Sequence, residues 1–515
     1  MNYFNFMSKR NSEKMSGYVC SVLIYPFAAG ILLFLNVFSA SAQKNYVIID
    51  SNDTEAAIIS KAANVVPSAR QLRWQQLELT AFFHFGINTF TNREWGQGNE
   101  DPQLFNPTSF DANQWITTVK KAGIKQVILT AKHHDGFCLW PSKYTNHSVK
   151  SSPWKNGKGD VVKEVAEACK KQGIGFGVYL SPWDRNSSVY GTEAYNDYFV
   201  NQLTELLTRY GRIDEVWFDG ANGEGPNGKK QVYDFERWYK LIRKLQPTAT
   251  IAIMGPDVRW VGTESGHGRE TEWSVVPANN LDPAKIAGDS QKEIAFKPLG
   301  DMMGNDLGSR DKIIHAKGLV WYPAETDVSI RPGWFYHEAE DGKVKSAKEL
   351  TEIYFHSVGR NGVLLLNIPP DKRGLLQEND VKHLLEWQAV RTSIFKQNFL
   401  KGGTIKGKPL QALIDGNDAT TIPLQQNTVE IKLKDKQTLN VLALQENIRK
   451  GQRIEKFILE YWTGTEWKKA AEGTTVGYKR LLQFEKVSTD RVRLQILSSR
   501  LDPFLAEMGL YLYAE

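Results

Sequence analysis

Across residues 77–395, short apolar runs rich in β-formers alternate with longer stretches of helical periodicity, and this rhythm restricts the fold more than any other feature. Parallel strands cannot be closed by hairpins, so each connection must cross over through a helix packed outside the sheet. Strands are predicted at residues 80–85, 126–131, 175–180, 215–218, 248–254, 318–321 and 363–367, and helices at 113–122, 161–172, 194–210, 234–245, 348–358 and 380–395. Residues 271–303 read ambiguously. The pattern approximates an α/β fold of the (β/α)8 TIM-like barrel type, with an open doubly wound sheet as the alternative. Beyond residue 397 the runs become rich in Val, Leu, Ile and Tyr and are separated by turn residues, which predicts a C-terminal all-β sandwich. The expected layout is a barrel over 66–396 and a sandwich over 397–515, preceded by a lead-in of unassigned structure at 43–65.

The remaining N-terminal residues read as an export signal. Lys9, Arg10 and Lys14 precede an apolar stretch over 19–38 that ends in Ser39-Ala40-Ser41-Ala42, an A-x-A cleavage pattern. The stretch is also long enough to serve as an uncleaved anchor. Cleavage would leave a mature protein without membrane attachment, periplasmic or extracellular, with Cys138 and Cys169 as two buried thiols rather than a disulfide framework. The 64 Lys and Arg against 58 Asp and Glu give a net charge of +6, too thinly spread over 515 residues to imply a nucleic-acid partner. Fifteen Trp and 19 Tyr provide the aromatic faces that sugar sites use.

The polar residues that interrupt the predicted strands cluster at strand C-termini, the face on which barrels build active sites. In Glu215-Val216-Trp217-Phe218-Asp219-Gly220 the period of two puts Glu215, Trp217 and Asp219 on one face. Asp219 is thus either a rigid carboxylate beside a substrate or a loop cap. Lys132-His133-His134-Asp135-Gly136 brings two histidines to a strand end. Both can face a site only if the chain turns at Asp135-Gly136, and zinc binding lacks a completing ligand motif elsewhere. His84 lies between Phe83 and Phe85 in the first strand, ahead of a loop carrying Glu94 and Trp95, and the third strand ends in Tyr179-Leu180-Ser181-Pro182-Trp183-Asp184. A glycosidase needs a second carboxyl group, and the glycine-rich loop after the fifth strand offers Glu264, Glu270 and Glu272. Glu264 is preferred because its glycine-flanked loop can fold over the site, whereas Glu270 and Glu272 have Arg259 and Arg269 as candidate partners.

In this order, His84-Phe85-Gly86, Glu94-Trp95-Gly96, His133-His134-Asp135-Gly136-Phe137, Val216-Trp217-Phe218-Asp219-Gly220 and Arg269-Glu270-Thr271-Glu272-Trp273 resemble the α-L-fucosidases of glycoside hydrolase family 29. The resemblance runs on through Trp321-Tyr322-Pro323-Ala324-Glu325-Thr326-Asp327, Ile330-Arg331-Pro332-Gly333-Trp334 and Leu365-Leu366-Asn367-Ile368-Pro369-Pro370. Val261-Gly262-Thr263-Glu264 is similar to the Gly-Asn-Glu loop of the second subfamily, which prefers α-1,3/1,4-linked fucose on Lewis-type oligosaccharides, with Thr263 where that pattern has Asn.

The resemblance implies a retaining exo-glycosidase that uses neither metal nor cofactor, with a fucosylated oligosaccharide as substrate. Asp219 would be the nucleophile and Glu264 the acid/base, their carboxyls about 5–5.5 Å apart. His84, Glu94, Trp95, His133, His134, Tyr179 and Trp217 would hold the fucose hydroxyls, and Trp334 would cover its methyl face. The C-terminal sandwich resembles a galactose-binding-like, discoidin-type module, read as bracing the barrel, with sugar binding as the alternative. The rival readings are another retaining glycosidase and a catalytically silent glycan-binding protein.

Overall fold

The computed structural model describes residues 45–278, 306–424 and 427–514. The export signal and part of the ambiguous stretch lie outside the described residues. Eight parallel strands form the barrel: β1 (Leu79–Phe83), β2 (Gln126–Lys132), β3 (Gly175–Leu180), β4 (Glu215–Phe218), β5 (Thr250–Ile253), β6 (Arg259–Trp260), β7 (Ala324–Ser329) and β8 (Val363–Asn367). They pair in the order β5-β4-β3-β2-β1-β8-β7-β6, and the two edge strands, β5 and β6, lie against each other so that the barrel is nearly closed.

Helices α1 (Ala112–Lys121), α2 (Val161–Gln172), α3 (Glu193–Arg209), α4 (Phe235–Leu245), α5 (Ala347–His356) and α6 (Glu378–Phe395) belong to the barrel domain. Their ends follow local chemistry. Asp111 and Asp160 accept backbone N–H groups in the first turns of α1 and α2, Ser346 and Glu349 form a capping box on α5, and α2 stops at Gly173 with φ of 71°.

Alternation along each strand divides two cores. Ala81, Phe83, Val127, Leu129, Val178, Val216, Phe218, Leu364 and Leu366 pack against the helices. Phe82, Ile128, Tyr179, Trp217 and Leu365 fill the barrel interior above Trp74. The inward phase of β4 therefore carries Glu215, Trp217 and, one step beyond its end, Asp219. Glu215 is fully buried low in the barrel, where its carboxyl accepts from Gln126 Nε2 at 2.6 Å and Trp74 Nε1 at 3.2 Å.

One predicted barrel strand is corrected. Gly318–Trp321 is not in the barrel; it pairs antiparallel with Val275–Ala278 and with Tyr46–Ile48 in a separate three-stranded sheet. The barrel strand is β7, whose sequence Ala-Glu-Thr-Asp-Val-Ser carries acids on its inward phase and so lacks an apolar signature. The lead-in supplies Tyr46–Ile48 and a helix, Glu55–Asn64, and Ile58, Ala62 and Val65 pack with Leu319, Trp321 and Ile448.

The C-terminal part is antiparallel: β9 (Thr428–Glu446), β10 (Ile454–Trp462), β11 (Trp467–Gly473), β12 (Arg480–Ser499) and β13 (Phe504–Tyr511). The two long strands, β9 and β12, pair with bulges after Lys432 and Leu439, and Ile431, Leu442, Phe457, Leu494 and Leu510 share one core. Cys138 and Cys169 are both buried and unpaired.

Candidate active site

At the C-terminal ends of the barrel strands, Phe82, His84, Glu94, Trp95, His133, His134, Tyr179, Trp217, Asp219, Ala221, Glu264, Asp327 and Trp334 enclose a pocket of about 120 Å³. All ten residues to which the resemblance gives a role line it, whereas the candidate acids Glu270 and Glu272 do not. β1 delivers His84 by parity with Phe82. Its Nδ1 lies 2.8 Å from Asn367 Oδ1 at the end of β8, which fixes the ring.

The two adjacent histidines reach the same pocket because the chain leaves the strand at once. Gly136 N–H closes a turn on His133 O at 3.0 Å, Phe137 N–H donates to Asp135 Oδ1 at 2.7 Å, and Gly136 has φ of 79°. A Cβ there would stand 2.5 Å from Asp184 Oδ1, so this turn requires glycine. Asp184 is itself engaged below the site, paired with buried Lys132 at 2.9 Å. His133 stacks on Tyr179 with ring centroids 5.7 Å apart, and His134 bonds Ser181 Oγ through Nδ1 at 2.7 Å. Among the described residues no three His, Cys, Asp or Glu side chains converge as a metal site.

Tyr179 donates its hydroxyl to Asp219 Oδ2 at 3.1 Å, His134 Nε2 stands 4.0 Å from the same oxygen, and Asp219 Oδ1 accepts from Ala221 N–H at 2.7 Å. Burial, reinforced by the charge of Asp219, pushes the Tyr179 hydroxyl well above its ordinary range, so it acts as a donor. Burial also lowers His84 to about 3 and holds His133 and His134 below the usual imidazole range. The three rings are neutral at pH 7 and present both donor and acceptor nitrogens, which suits hydroxyl recognition.

The three glutamates of the loop separate by position. Glu264 is exposed at the pocket, where Trp334 Nε1 donates to its Oε2 at 3.1 Å. Glu272 is buried and paired with Arg259 and, at 3.3 Å, with Arg269. Glu270 pairs with Arg360 at 2.8 Å and with Arg480 of β12. The sandwich also holds this loop through Gln452 Nε2, which donates to Glu272 O at 3.0 Å, and Thr474 Oγ1, which donates to Glu270 O at 2.9 Å.

Glu94 is more than a pocket wall. Its carboxylate accepts from the N–H groups of Trp334 at 2.8 Å and Phe335 at 3.2 Å, and it meets His337 Nε2 at 2.6 Å, so it anchors the loop that carries Trp334. Trp217 is oriented from beneath by Glu325, to whose Oε1 its Nε1 donates at 2.7 Å.

Sequence reasoning missed Asp327. It is buried, lines the pocket, and takes the Trp260 Nε1 hydrogen bond at 2.7 Å. Burial raises it to about 7 against the Trp260 hydrogen bond, with help from the charges of Glu264 and Asp219. The Glu325, Asp327 alternation was the available signal, masked by the polar character of β7.

The Alpha-L-fucosidase family profile matches residues 70–389. Alpha-L-fucosidase 1 of Arabidopsis thaliana is 46% identical over 467 residues, covering 87% of each chain. A Bacteroides ovatus structure assigned as an alpha-L-fucosidase superposes with a TM-score of 0.83 at 51% identity, covering 91% of this chain and 78% of that one. A Ruminococcus gnavus GH29 fucosidase in complex with fucose gives a TM-score of 0.76 at 32% identity, covering 87% and 95%. With acids and neutral histidines converging at the C-terminal mouth of its barrel, this chain belongs to the α-L-fucosidase family of glycoside hydrolases.

Proposed function

We propose that the chain is a retaining exo-α-L-fucosidase that removes terminal α-1,3/1,4-linked fucose from Lewis-type oligosaccharides and glycoconjugates. The observation that carries this reading is that Asp219 and Glu264 open onto one small pocket from different strand ends, while Glu270 and Glu272 are consumed by arginines. In the first step an Asp219 oxygen attacks the anomeric carbon. The bond to the leaving oxygen breaks, and its electron pair takes the proton of Glu264. In the second step Glu264 takes a proton from water, the water oxygen bonds to the anomeric carbon, and the bond to Asp219 breaks.

Tyr179 holds Asp219 in place by donating to its Oδ2, and His134 Nε2 stands 4.0 Å from the same oxygen. Neutral His84 and His133 exchange hydrogen bonds with sugar hydroxyls, Trp95 and Trp217 line the ring's surroundings, and Trp334 closes over the apolar methyl face. The branched-linkage preference rests on the Val261-Gly262-Thr263-Glu264 loop. Export rests on the basic and apolar N-terminus with its Ala40-Ser41-Ala42 end, and places the mature enzyme in a periplasm or outside the cell.

The test offers the purified mature chain a Lewis-type trisaccharide and, separately, an α-1,2-fucosylated one, and follows the first-formed anomer of fucose by NMR. Release of α-fucose from the Lewis sugar alone is expected. Initial β-fucose would refute retention, and equal release from both sugars would refute the linkage preference.

A further inference from the structure

Among the described residues, two tryptophans are exposed, Trp95 and Trp260. Trp95 lines the pocket and meets His134 and Trp183 edge-on, at 5.6 Å in each case. Trp260 has no role in the chemistry described above. It sits on β6 opposite Glu325 of β7, and its indole N–H reaches two residues further along β7 to Asp327 Oδ1. The buried carboxyl that lines the pocket thus fixes the ring at the pocket's rim, four residues ahead of Glu264 in the chain. With its one polar atom satisfied and over a third of its surface in water, this indole presents an apolar face on which a ring can stack.

The occupant follows from the size of the pocket and the direction of proton delivery. A volume of about 120 Å³ is well below the roughly 300–1,000 Å³ of pockets that swallow a drug-sized ligand. The pocket therefore takes the terminal sugar and leaves the rest of the oligosaccharide on the rim. Glu264 protonates the leaving oxygen, so the departing sugar lies on the Glu264 side, where Trp260 is. We infer that Trp260, oriented by Asp327, is the stacking platform for the pyranose ring that leaves, its C–H face lying on the indole. Asp327 is a positioning residue for that platform. This inference rests on the fucosidase reading and goes beyond it by assigning the leaving-group subsite.

The experiment compares kcat and KM for a Lewis-type trisaccharide and for α-L-fucosyl fluoride, whose leaving group is a single atom with nothing to stack. In Trp260→Ala, kcat/KM for the trisaccharide falls about tenfold, mostly through KM, as expected for loss of a stacking contact of about 1.4 kcal/mol. The fluoride loses no more than about twofold, since the contact removed is made only by a leaving sugar. Trp260→Phe recovers most of the trisaccharide activity, and Asp327→Ala shifts the ratio of the two substrates in the same direction as Trp260→Ala. Equal loss on both substrates, or no change on either, would overturn the platform while leaving the fucosidase reading intact. Absence of hydrolysis of both substrates by the unaltered enzyme would overturn that reading and the platform with it.

Discussion

Replacing Glu94 by Gln tests how the Trp334 loop is held. The Glu94 carboxylate takes two backbone N–H groups, from Trp334 and Phe335, and a third contact from His337. Hydrogen bonds to a charged acceptor contribute about 1.5–3 kcal/mol each and neutral ones about 1 kcal/mol. An amide keeps one oxygen acceptor and turns its NH2 toward the other backbone donor, so at best one of the two backbone bonds survives, and in weakened form. The loss is about 2–3 kcal/mol in the local closing equilibrium, or about 30- to 150-fold. Hydrogen exchange at the Trp334 and Phe335 amides should accelerate by that order, while strands β1–β5 exchange as before. The value of kcat/KM should fall in step, because Trp334 also positions Glu264 through its indole N–H. Unchanged protection at both amides would refute the anchoring role, whatever happened to activity.

Other consequences separate residues that the sequence places side by side. Glu272→Gln leaves two buried arginines without their carboxylate and should cost about 3–5 kcal/mol in denaturant unfolding, whereas Glu264→Gln should unfold like the parent yet lose turnover that azide restores. Equal stability of the two variants would contradict the assignment of partners. Gly136→Ala forces a Cβ into a positive-φ turn against Asp184 and should destabilise by about 2–3 kcal/mol, with lower activity as His133 and His134 shift; a neutral result in thermal melts and kinetics would dispose of the turn argument.

Stability should fall between pH 6.5 and 8. Buried Asp135, Asp327 and Glu446, each raised to about 7, and Glu215, raised to about 8, hold protons that the unfolded chain releases near pH 4, so their contribution is lost as pH rises through the folded values. His84 at about 3 and His356 at about 4 act oppositely, favouring the folded state above the unfolded histidine value and opposing it below, and so add no slope above about pH 6.5. A melting temperature that is flat or rises over that window would contradict the burial of these acids.

The phase of the barrel was legible because a period of two needs only one correct register. Once Phe82 faces inward, His84 must, and Trp217 carries Asp219 with it. The failures have physical causes. β7 was hidden because the residues it turns into the barrel are Glu325 and Asp327, so an apolar criterion chose Gly318–Trp321 instead. β6, at two residues, is too short to show any period. Sequence favoured Glu264 and found the arginines of Glu272, but not those of Glu270, because Arg360 and Arg480 lie some 90 and 210 positions away from it. Only the folded chain brings the sandwich against that loop.

The central claim is that Asp219 attacks the sugar. Its most direct test is turnover of an activated aryl α-L-fucoside by Asp219→Gly, with and without azide, beside a thermal melt. The account predicts a loss of about a thousandfold or more in kcat with the melt unchanged, and partial rescue by azide with β-fucosyl azide as product. Near-normal turnover in a folded Asp219→Gly enzyme would contradict it.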